Sequence, residues 1–312
     1  TPAVNNISVR LVSDHPGVPG YAAVYETKIY NGDEELASGY SLSSDNSNVI
    51  ISGNTVTLPA EFKDNTELDG VKIYATVNGQ TAFYPLMIKK WTLTLQDDFD
   101  GDKLNNEIWS NSSGSADCIT VNGGKLTMKI TADENKEKRE PYITTRNKFS
   151  QQYGCFTARM LMPQTTETSV SAFWLLPSNY NQNWGTSYLF EGTNLSCGEV
   201  DIIEYPSNWN GEAQSALQWW DPTNISGSHS ATSQKYKYDK LKNGEYIDVT
   251  GVWTADAVYF YYDGILQGSI TNISATGEKA CMILSMSTWS GEFNPEAVDS
   301  LYCTVDYVKA YK

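Results

Sequence analysis

The stretch CGEVDIIEYP, residues 197 to 206, places three carboxylates, Glu199, Asp201 and Glu204, in six residues that otherwise read as a buried strand. Successive strand side chains alternate between faces, so Glu199, Asp201 and Ile203 should share one side and Glu204 should point to the other. Either the third acid faces away or the strand is irregular. A β-bulge at Ile202-Ile203 adds one residue and returns Glu204 to the face of Glu199 and Asp201. Three carboxylates then line one groove, and crowding raises the proton affinity of at least one of them. No basic residue lies nearby in the sequence to pair with them. Oxygen-rich clusters also bind hard cations, so a calcium site is the competing reading.

The surroundings of this strand are all-β. Period-2 alternation recurs in Val71-Ile73-Ala75-Val77, Leu126-Met128-Ile130 and Val258-Phe260-Tyr262, separated by turn signals such as YNGDEE, ISGNT, VNGGK and YYDGI. Residues 1 to 90 hold about seven short strand candidates, the size and rhythm of an immunoglobulin-like sandwich. They contain no tryptophan and no cluster of reactive side chains, and read as a spacer or docking domain, with a sugar-binding module as the alternative. A boundary falls near Lys89 or Lys90, and residues 91–312 form a second domain that carries the acids and all nine tryptophans. Trp109, Trp174 and Trp253 lie in apolar runs that suit a core. Trp184, Trp209, Trp219, Trp220 and Trp289 lie in polar contexts where a ring could stack on sugar.

Composition excludes several classes of function. The 312 residues are 40% hydrophobic, enough for a large buried core. With 37 acidic against 22 basic side chains the net charge is −15, which opposes nucleic acid as a partner. No apolar run reaches the length of about 18 residues that a membrane span needs. No leader opens the chain, so a mature, secreted or surface-anchored bacterial protein is expected. The five cysteines are scattered without metal-ligand spacing, and His15 and His229 lie far apart, which disfavours histidine-ligated zinc and a Ser-His-Asp triad.

Beyond the acids, the second domain carries DDFDGDKLNNEIW, NGGKLTMKI, YITTRNKFSQQYGCFTARMLMP, SAFWLLP and CTVDYVKAYK. Together with Glu-x-Asp-x-x-Glu these resemble glycoside hydrolase family 16, of the bulged, laminarinase-like subtype, here following a bacterial immunoglobulin-like domain. The resemblance implies a concanavalin-like β-jelly-roll sandwich and retaining, endo-acting hydrolysis of a β-linked polysaccharide by a monomer, with no catalytic cofactor. It implies Glu199 as nucleophile, Asp201 as the residue orienting it and Glu204 as general acid/base. Substrate-binding candidates are Arg159, Trp174, Trp184, Trp209, Gln218, Trp220 and Trp289. A structural calcium is expected at Asp98, Gly124 and Asp306. The chain departs from the family pattern at Thr157, at Asn194 and at Gln218, where glutamate, tryptophan and histidine are usual.

Four arginines and a strongly negative charge favour a neutral glycan. Cys197-Gly198 resembles laminarinase-type members, so a β-1,3-glucan or mixed-linkage β-1,3-1,4-glucan leads. A neutral red-algal galactan, transglycosylation, and a glycan-binding module without hydrolysis stand as alternatives.

Overall fold

A computed structural model describes residues 6–60, 71–86, 89–113, 116–165, 167–180, 189–191, 196–220, 229–288 and 294–312. The chain divides into two compact units, Thr1–Thr92 and Leu93–Lys312. Nearly every described element is a strand, and among the described residues no helix is long and apolar enough to cross a membrane.

In the first unit, one sheet runs Ile7–Leu11, Ala23–Asn31, Thr55–Leu58, Ile50–Ser52, and a second runs Ser41–Ser44, Val71–Val77, Gln80–Leu86. Both are antiparallel. Asn78-Gly79, both at positive φ, closes the hairpin between Val77 and Gln80, as the NG signal requires. Tyr25, Val56, Leu58 and Ile73 are buried between the sheets.

The second unit is a two-sheet sandwich. One sheet runs Ile119–Val121, Leu126–Lys129, Tyr302–Tyr311, Gly154–Leu161, Ile247–Trp253, Ala257–Tyr262, Ile265–Thr271, with Leu93–Asp97 on the far side of Tyr302–Tyr311. The other contains, in order, Ser110–Asn111, Tyr142–Thr144, Ala280–Ser287, Val170–Pro177 and the acid strand Ser196–Pro206, whose other neighbours are Glu212–Trp220 and Phe190–Glu191. Their inner faces share one core that includes Phe156, Phe173, Phe260, Leu284 and Val308. Trp109 and Trp253 are fully buried in it, as their apolar settings predict.

The acid strand is irregular where parity demands it. Opposite Val170–Pro177, the register steps from Phe173↔Ile203 to Trp174↔Asp201, so Ile202 is the extra residue. Val200, Ile202, Ile203 and Tyr205 all enter the core, and two consecutive inward side chains return the strand to phase before Glu204. The other sheet leaves room for this. A Cβ on Gly251 would meet Cγ1 of Ile202 at 2.7 Å, so Gly251 is the hole into which the bulge side chain fits.

This contact yields a stability prediction. Gly251→Ala should overpack the core and cost about 1–3 kcal/mol, and Ile202→Ala should leave a cavity costing about 2–5 kcal/mol. Because the two side chains compete for one space, the double variant should be less destabilised than the sum of the singles. Additive denaturation midpoints would contradict the fit.

Candidate active site

Glu199, Asp201 and Glu204 line one cleft of about 610 Å³ on the outer face of their sheet. Asp201 and Glu204 are 2% and 9% exposed. Opposite them, Glu212–Trp220 presents Gln218, Ala216 and Gln214 in register with Glu199, Asp201 and Glu204. The register reaches this match through two irregularities, one at Ile202-Ile203 and one at Gly198. Gln218 Nε2 donates to both Glu199 Oε1 and Asp201 Oδ2 at 2.7 Å, and Gln214 Nε2 donates to Glu204 Oε2 at 2.7 Å. Each acid is therefore fixed by an amide that carries no charge.

All three acids hold protons more tightly than free carboxyls. Burial pushes Glu199 up to about 7, opposed by its hydrogen bond with Asp201 and reinforced by the charge of Glu204. Burial also raises Asp201 well above its ordinary range, and the charges of Glu199 and Glu204 add to that. Burial raises Glu204, against the bond from Gln214. Burial and the mutual repulsion of the acids raise the proton affinity of both Glu199 and Asp201, so the pair retains a proton that an isolated carboxyl would have lost. Such a site keeps one carboxylate ionised beside a carboxyl that can donate.

The sequence-predicted binding residues separate. Gln218 is at the acids, and Trp174 lines the cleft as the register partner of Asp201, its Nε1 donating to Ser285 Oγ at 3.0 Å. Tyr142 meets Trp174 edge to face, with centroids 5.9 Å apart. Trp209 follows the acid strand on a 3-10 turn, outside the cleft lining, with the Lys235 ammonium 3.9 Å from its ring centroid. Lys235 pairs in register with Gln214, which places this contact at the Glu204 end. Trp184 and Trp289 lie outside the described residues, as does the side chain of Trp220.

Arg159 is a correction. It stands on the opposite sheet between the core residues Ala158 and Met160, so it faces away from the acids. There it pairs with Asp248 at 3.2 Å and Asp306 at 3.5 Å. Gln214, which holds Glu204, and Tyr142, which lines the cleft, are not singled out by the sequence; only strand register reveals Gln214.

The expected calcium ligands also find other work. Asp306 is the carboxylate beside Arg159, Asp98 accepts from the Gln96 amide, and Gly124 occupies a positive-φ turn position. Among the described residues no group of three or more metal-ligating side chains forms. A structural calcium at these positions is therefore not shown.

The raised affinities predict how stability depends on pH. A carboxyl at about 7 when folded and near 4.3 when unfolded gives its full contribution below the lower value, which is lost as pH rises through the upper one. Glu199→Gln removes that loss. Its melting temperature should match the parent near pH 4 and exceed it by several degrees at pH 8; a constant difference would show that Glu199 ionises without penalty.

At the sequence level, a comparison with curated proteins returns no match. The profile of glycosyl hydrolases family 16 matches residues 106–309. Among solved structures, a laminarinase from Flavobacterium sp. aligns with TM-score 0.58 at 22% identity, covering 71% of this chain and all of that one (100%). The laminarinase catalytic domain of Thermotoga maritima aligns with TM-score 0.56 at 19% identity over 71% of this chain and 98% of that one. Porphyranase B from Zobellia galactanivorans aligns with TM-score 0.56 at 17% identity over 72% and 93%. These likenesses establish the jelly-roll sandwich. The profile spans well over half of the chain and encloses the three acids, and the protein belongs to glycosyl hydrolases family 16.

Proposed function

We propose that this glycoside hydrolase cleaves a β-linked polysaccharide internally and with retention of configuration, using Glu199 as nucleophile and Glu204 as general acid/base. The observation that carries this reading is the arrangement of three acids on one cleft wall, Asp201 and Glu204 buried and Glu199 partly so, each holding its proton more tightly than a free carboxyl. A protonated Asp201 donates to Glu199 and keeps its carboxylate oriented and ionised for attack on the anomeric carbon. Glu204, raised by burial, carries the proton that the leaving oxygen needs and afterwards takes one from water. Trp174 offers a ring face beside Asp201 on which a sugar can stack. The cleft lining runs from the acid strand across the sheet to Tyr142 and Ser110, which suits binding along a chain and hence internal cleavage.

The backbone of the polymer is a narrower question. Neighbours named for laminarin and for porphyran align equally well, so they support a β-linked glycan in general. Gly198 is the extra residue of the first register irregularity, which gives it a backbone role apart from any β-1,3-glucan preference. The preceding unit, with its two small antiparallel sheets, suits an immunoglobulin-like spacer. A lectin-like module without hydrolysis has no use for three acids that cost stability when ionised.

The two glutamates are separable by experiment. Glu204→Ala should lose roughly 10²- to 10⁴-fold on polysaccharide, yet still form the glycosyl-enzyme from an activated aryl glycoside, because a good leaving group needs no proton. Azide should then release a β-glycosyl azide, the product of a second displacement. Glu199→Ala should be inactive on both substrates and give no azide adduct. An azide product from Glu199→Ala, or near-normal polysaccharide cleavage by Glu204→Ala, would reverse or abolish the assignment.

A further inference from the structure

The cleft extends well beyond the acids. From the acid strand the sheet continues through Val170–Pro177 and Ala280–Ser287 to Tyr142–Thr144, three strand spacings or roughly 14 Å away. Arg146 stands just past the end of that last strand and lines the same cleft. Its backbone N–H is tied to Thr144 Oγ1 at 3.2 Å, and its guanidinium carbon lies 5.0 Å from the centroid of the Tyr180 ring. Among the described residues, the buried Nη1 of Arg146 has no hydrogen-bond partner and the side chain forms no ion pair.

Among those residues, Arg146 shares the lack of an ion pair with Arg10, which lies exposed over the Tyr30 ring in the first unit, but Arg146 alone of the four arginines lines the cleft. The net charge is −15, and two other arginines hold carboxylates: Arg139 that of Asp133 at 2.8 Å, and Arg159 those of Asp248 and Asp306. Glu140 lines the same cleft but is occupied by Lys138 at 3.0 Å and by the Thr288 backbone N–H at 2.9 Å. A half-buried guanidinium with unused donors is costly unless a partner arrives from outside. Its planar fork fits the oxygens of a sulfate or a carboxylate, and the Tyr180 ring beneath it fixes its plane.

We propose that Arg146 binds an anionic substituent, a sulfate ester or a uronic carboxylate, on a sugar away from the cleaved bond, so that the substrate is a charged polysaccharide. The inference rests on the hydrolase reading above and replaces the neutral glycan expected from composition. The scarcity of arginine is no obstacle, since one correctly placed fork suffices. Nor is the overall negative charge, because fields from distant surface carboxylates are screened over about 8–10 Å at physiological salt.

The test uses the full chain and matched polymers: a sulfated galactan and its desulfated form, a uronate-containing β-glycan and its carboxyl-reduced form, and neutral β-1,3-glucan. Reducing-sugar release gives kcat/KM on each. The parent enzyme should prefer the charged member of one pair by at least tenfold, and which pair responds identifies sulfate or carboxylate. Arg146→Gln should lose roughly 10- to 100-fold on that charged member and bring the ratio within the pair close to one, with Arg146→Lys between the two. Arg146→Lys supplies the same readout if the glutamine variant does not fold. Best cleavage of a neutral polymer, or equal losses on both members of the pair, overturns the role of Arg146 while the hydrolase reading stands. Cleavage of none of the five by the parent enzyme overturns both.

Discussion

One steric fit, Ile202 against Gly251, holds the active site in phase. Without the extra residue, a regular strand would send Glu204 into a core of Phe173, Val200 and Tyr205, where an unpaired carboxylate is prohibitively unfavourable. With it, the core receives Ile202 and Ile203 in succession and the acids keep the outer face. The insertion also frees a backbone carbonyl, that of Ile202, and buried Ser215 donates its hydroxyl to it at 2.7 Å. The placing of the three acids on one sheet is thus set by a missing side chain on the other.

On the outer face the problem is electrostatic. Three acids share a wall, and the groups that orient them, Gln214 and Gln218, are neutral. Amides fix position without offsetting charge, so relief comes from retained protons. An imidazole at position 218, which the family pattern favours, would add a titrating group of its own. Here the ionisation of the site depends on the carboxyls and their burial.

The fold and the three acids were legible because both rest on parity. Alternating strands and turn pairs such as Asp263-Gly264, which closes the Tyr262–Ile265 hairpin at positive φ, declare themselves locally. The bulge was legible for the same reason, since Glu204 breaks the period of Glu199 and Asp201. Arg159 was misplaced because its motif was read by likeness alone, although the inward run Phe156, Ala158, Met160 already assigns it to the other face. Gln214 and Arg146 were invisible for a different reason. Their roles depend on which strands become neighbours and on what fails to approach them, and pairings between distant segments leave no local trace.

The edge of the second unit has a consequence of another kind. Its first strand, Leu93–Asp97, lies against its last, Tyr302–Tyr311, with Leu93 opposite Tyr311. Entry and exit of the sandwich are therefore side by side, far along the chain from the acids. A protein engineer could splice this unit as a cassette into a surface loop of another scaffold, or join its ends by a short linker and reopen it elsewhere, without unpicking a strand from the sheet that bears the three acids.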